Sequence, residues 1–125
     1  MDSLVIWQRV EGAVVFLSSI AILVSLGAEW SWWLVVLVFF APDISFGAYL
    51  LGPKVGSIGY NIAHVYALGA TLLALGLSMD LITASLLGAL WLAHSGFDRM
   101  LGYGLKAPEG FTKTHLGIIG RATAK

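Results

Sequence analysis

Four long runs almost free of charge divide this chain, and such runs can fold in few ways. A helix needs about 20 apolar residues to cross the hydrocarbon core of a bilayer. Four stretches qualify: about Leu4–Gly27, Trp30–Gly52, Pro53–Gly76 and Asp80–Tyr103. Ala28-Glu29, Gly52-Pro53 and Leu77-Ser78-Met79 mark the breaks. Links this short make consecutive helices antiparallel neighbours. The expectation is an all-α fold: a four-helix transmembrane bundle, up-down-up-down, over residues 1–104. A cytoplasmic interfacial tail over 105–125 follows, which could equally fold back as a cap. The first run carries Arg9 and Glu11 and lacks a clean basic leader, so it reads as a retained span.

Composition agrees. The 125 residues are 58% hydrophobic and 11% charged, where a soluble domain has about a quarter charged. Net charge is zero, so no basic surface awaits nucleic acid. Cysteine is absent, which excludes disulfides, thiolate metal sites and cysteine nucleophiles.

Orientation follows from the basic residues. Under this reading Arg9, Lys54, Arg99, Lys106, Lys113, Arg121 and Lys125 all fall on the side that holds both termini. The other side has Glu29 and Asp80. The positive-inside rule puts both termini in the cytoplasm. Trp30, Trp32 and Trp33 suit the far interface.

An ionisable residue inside a bilayer is costly and points to function. At about 1.5 Å of rise per residue, Glu11, Asp43, Asn61, His64, His94 and Asp98 reach a similar depth near the basic side. His94 and Asp98 are i,i+4 neighbours. Lys54, Ser57, Asn61 and His64 form a polar stripe, and Pro42 disturbs the helix before Asp43. Imidazoles and carboxylates on facing helices resemble a shell for a divalent cation: zinc, manganese or iron. The expected metal ligands are His64, His94 and Asp98, with Asp43 fourth. Glu11 and Asp43 are the expected catalytic carboxylates, Glu11 as a base that is not a ligand. Lys54, Asn61 and Arg99 are expected to bind substrate, the two cations at the mouth holding an anionic group. His115 reads as a surface residue, and Tyr49, Tyr60 and Tyr66 as packing residues.

Three functions fit these residues. One is metal-dependent hydrolysis of a lipid-like substrate. Another is proton- or ion-coupled transport, which needs a homo-oligomer because four helices make a thin wall, or the related role of pH sensor. The third is a membrane subunit whose acids and bases pair to set helix register. Membrane lipid is the expected partner in each.

The stretches APDISFGAYLLGPKVGSIGYNIAHVYAL (Ala41–Leu68) and WLAHSGFDRMLGYGLKAPEGFTKTHLGIIGR (Trp91–Arg121) are quoted as they stand. They resemble a family of small bacterial membrane proteins, domain of unknown function 4260. The resemblance implies a four-helix protein of the bacterial inner (plasma) membrane. It implies no activity and supplies no catalytic residues.

Overall fold

The structure, a computed structural model, describes residues 2–119. Arg121 and Lys125, read above as part of the basic side, lie outside the described residues. The described chain is mostly helical: α1 (Ser3–Ser25), α2 (Trp32–Phe40), a 3₁₀ segment (Ala41–Leu51), α3 (Pro53–His64), α4 (Tyr66–Ser78) and α5 (Ile82–Met100). Three of these stretches are long and apolar enough to cross a membrane: Ser3–Ser25, Trp32–Leu51 and Pro53–Ser78. The fourth expected span, α5, is more polar. Ser85, His94, Ser95 and Arg99 lie buried along it, because α5 is the central helix and faces protein where the others face outward.

Two of the expected spans are broken. In the second, the chain tightens from α to 3₁₀ at Ala41, whose amide bonds the Val38 carbonyl. Pro42 has no amide to continue an α ladder. A 3₁₀ helix has about three residues per turn, so Asp43, Phe46 and Tyr49 fall on one face. In the third, α3 stops at His64, and Val65 is extended (φ −74°, ψ 150°). No proline or glycine causes this break. Side chains of α5 stabilise it instead: Trp91 Nε1 donates to the Ala63 carbonyl at 2.6 Å and Arg99 Nη2 to the His64 carbonyl at 3.1 Å. Both carbonyls have lost their helical partners at the break, and a bare carbonyl in this interior would be costly.

Glycines let α5 sit this close to its neighbours. A Cβ on Gly12 would lie 2.7 Å from Arg99 Cβ, and one on Gly96 would lie 2.7 Å from the Phe16 amide nitrogen. A Cβ on Gly69 would meet the Leu92 backbone at 2.7 Å. Helix backbones that approach through small residues gain packing that no hydrophobic force supplies in lipid. Phe16, Phe39 and Phe97 close the joint between α1, α2 and α5, with ring centroids 5.3–6.3 Å apart.

The interior is polar and the exterior apolar. Ser19, Ser57, His64, His94 and Arg99 are at most 5% exposed, while Ile44 is 80% and Leu50 91% exposed.

The segment expected as an all-helical protein's tail contains a sheet. Gly102 (φ 93°) closes α5, with the Tyr103 amide bonded to the Asp98 carbonyl and the Gly102 amide to the Arg99 carbonyl. This left-handed cap reverses the chain. Strands β1 (Lys106–Ala107), β2 (Gly110–Thr114) and β3 (Gly117–Ile118) then form an antiparallel sheet in the order β1-β2-β3. Two-residue turns at Pro108-Glu109 and His115-Leu116 set its register. The sheet docks on α3, where the Asn61 side chain pairs with the Lys106 backbone as a strand would: Nδ2 donates to the carbonyl at 2.8 Å, and the amide donates to Oδ1 at 2.7 Å.

Candidate metal centre

Asp43, His64, His94 and Asp98 converge on one point, and the ligand atoms they offer lie within 4.8 Å of one another. Asp43 comes from the 3₁₀ segment, His64 from the last residue of α3, and His94 and Asp98 from adjacent turns of α5. The two Nε2 atoms are 3.1 Å apart. Asp43 Oδ1 is 3.3 Å from His64 Nε2 and 3.1 Å from His94 Nε2. Asp98 Oδ2 is 3.3 Å and 3.4 Å from the same atoms. The edges of a regular tetrahedron are about 1.63 times its centre-to-corner distance, so zinc-like bonds of about 2.0–2.1 Å require edges of about 3.3–3.4 Å. Five of the six edges, at 3.1–3.4 Å, match that spacing, and the sixth, between the two carboxylates, lies within 4.8 Å.

The imidazoles are buried, at 2% and 1% side-chain exposure, against 17% for Asp98 and 35% for Asp43. His64 is held in the form a metal requires. Its Nδ1 lies 2.8 Å from the Tyr60 carbonyl, which can only accept, so Nδ1 carries the proton and Nε2 presents a lone pair. Tyr60 stacks flat on the ring (centroids 3.8 Å, planes 9° apart). His94 is wedged edge-on against Phe39 and Phe40. Its Nδ1 is buried without a hydrogen-bond partner, so only packing sets its angle.

The carboxylates face a pocket of about 190 Å³ whose walls include Phe46, Tyr60, Lys106 and Phe111. The Tyr60 hydroxyl points at Asp98 Oδ2 from 3.5 Å.

The other expected site residues stand elsewhere. Glu11 is exposed on α1 and outside the four-residue group. Its neighbour Gly12 is the residue that meets the α5 backbone. Lys54 is exposed in the first turn of α3 and is not part of the pocket wall. Asn61 is engaged by the β1 backbone. Arg99 is an interior brace: besides the His64 carbonyl, Nη1 reaches His115 Nε2 at 3.2 Å, and the guanidinium lies over the Tyr66 ring. His115, expected at the surface, is exposed there; the Leu105 amide donates to its Nδ1 at 2.8 Å, which leaves the proton on Nε2, so Arg99 meets that nitrogen as a close contact. Burial, then the Arg99 charge, push its pKa below the usual histidine value.

Sequence reasoning passed over Tyr60 and Lys106. Tyr60 had a signal, lying i−4 from His64 and so on the same helix face. Lys106 had none, since its position depends on how the sheet docks.

The fold and site define a small helical protein with membrane-compatible segments and an internal cluster of two histidines and two aspartates. The chain belongs to the family described as Domain of unknown function (DUF4260), which matches residues 5–119. No curated protein and no solved structure matches it.

Proposed function

We propose that the chain is an integral membrane protein, four passes with both termini cytoplasmic in a bacterial inner membrane, that hydrolyses a lipid-like substrate at a divalent metal centre. The convergence of four donor atoms, five of their six separations at 3.1–3.4 Å, carries this reading. The apolar exterior supports the membrane setting. His64, His94 and Asp98 would hold the ion, and zinc suits a small four-donor shell of nitrogen and oxygen. Asp43, the most exposed of the four, is the exchangeable member.

A divalent cation held there would supply Lewis acidity toward an ester oxygen and lower the pKa of water. Asp43 takes the proton as water adds to the ester centre. The bond to the leaving oxygen breaks, and Asp43 returns the proton to that oxygen. The Tyr60 ring and carbonyl fix His64 throughout, and Phe39 and Phe40 keep water from the back of His94.

Metal analysis of the purified full chain tests this. About one equivalent of transition metal is expected in the wild type and little in His94→Ala, as four-donor sites require their histidines. Asp43→Asn should retain most of the metal and lose about 10²–10⁴-fold in ester turnover. A wild-type protein that stays metal-free in metal-replete buffer sinks the proposal.

A further inference from the structure

Lys106 is 4% exposed, in the wall of the same pocket as Asp43 and Asp98. Buried lysines are almost always paired, yet no carboxylate lies within ion-pair distance of its ammonium among the described residues. What surrounds Nζ is aromatic: the Phe111 ring at 3.9 Å and the Tyr60 ring at 5.1 Å. Ring faces orient and partly stabilise a cation, but they do not neutralise it. Burial lowers its pKa, and the charge of Asp98 acts in the opposite sense.

The Asp98 charge is already committed. Two neutral imidazoles, two carboxylates and a divalent cation sum to zero, so a filled centre offers Lys106 no counter-charge. The Lys106 backbone is fixed by Asn61, so the sheet has an anchor on α3 besides the ammonium. Its aromatic cradle joins two elements: Phe111 from β2 and Tyr60 from α3.

We propose that Lys106 is the anion-binding residue of this pocket, and that the ligand is a single-chain amphiphile carrying a phosphate. This rests on the metal-hydrolase reading and names its substrate class. A lysine ammonium is a point charge suited to phosphate oxygens, and a lysine beside a divalent cation is a recurring phosphoryl clamp. Size supports a headgroup. Whole-ligand pockets run to about 300–1,000 Å³, so a pocket of about 190 Å³ takes the phosphate end and leaves the chain outside. The outside is apolar, with Ile44 and Leu50 exposed on the 3₁₀ segment that carries Asp43. Lys106 thereby takes the role expected of Lys54 and Arg99.

The test is equilibrium binding to the full chain in nanodiscs. The probes are a single-chain phosphate monoester lipid, the neutral monoacylglycerol of the same chain length, and inorganic phosphate. Metal content is measured on every sample. The wild type should prefer the phosphate lipid over the neutral one by about tenfold or more, a difference of about 1.4 kcal/mol. Lys106→Met keeps the aliphatic stem against both rings and should erase that preference with metal content unchanged. Lys106→Arg should restore it. Inorganic phosphate that competes with the lipid, and does so only when Lys106 is present, confirms the anion subsite and identifies free phosphate as a second source of the same chemistry. A preference that survives in Lys106→Met, or is absent from the wild type, overturns the inference. Loss of the metal reading alone would appear as metal-free wild-type protein, while the Lys106 comparison would still be readable.

Discussion

Arg99 shows how far one side chain can carry the geometry of another. It reaches the carbonyl of His64, the residue at which α3 ends, and it also lies 3.2 Å from His115 Nε2 of the sheet. Arg99→Met leaves the His64 carbonyl bare in the interior and should lower stability by about 1.5–3 kcal/mol. Arg99→Lys should recover little, because a single ammonium cannot reproduce the planar fork. Thermal unfolding in detergent reads both, and an unchanged midpoint in Arg99→Met would show that the brace is dispensable. Four of the site residues were legible from spacing and depth: Asp43, His64, His94 and Asp98. Depth fixes a level and leaves the direction around the helix open. Glu11 shares the level and stands outside the four-residue group. Arg99 lies next to the ligand Asp98, yet its partners belong to a helix break and a sheet that hydropathy does not reveal.

The elements divide into those the chain announces and those it conceals. Pro42 announces the tightening at Ala41. The break at Val65 is concealed, for Trp91 and Arg99 hold it from another helix. Gly56 and Gly96 lie at close approaches, against Tyr49 and Phe16 respectively. Gly96→Ala puts a methyl against the α1 backbone and should cost about 1–3 kcal/mol through overpacking. Gly47→Ala is the control, because nothing lies within 4 Å of the added carbon. It should be neutral or stabilise by up to about 1 kcal/mol. Equal effects of the two substitutions would refute the tight α1–α5 contact. The sheet was unreadable as a span or a linker, although Thr112, Thr114 and Phe111 favour strands and Gly117 (φ 119°) supplies its second turn.

At the scale of the molecule, the sheet closes over the helix ends through Asn61, His115 and Lys106. His115 makes that closure sensitive to pH. Its pKa is lowered by folding, so the unfolded chain binds the proton more tightly. The stabilisation is therefore present above about pH 6.5, the unperturbed histidine value, and is lost as pH falls through the lower folded value. Amide exchange in residues 105–119 should speed up on going from about pH 7.5 to about pH 5 once intrinsic rates are corrected, since the free imidazole titrates between them. His115→Asn keeps an acceptor for the Leu105 amide and should flatten that response. A wild-type profile without pH dependence would refute the role given to this histidine.

The donors of the centre are scattered along the chain, from Asp43 to Asp98, with Lys106 and His115 later still. A ribosome must deliver α5 before the four side chains can meet. Assembly of the group thus becomes a late event in biogenesis, and a nascent chain halted before His94 would lack half of its members.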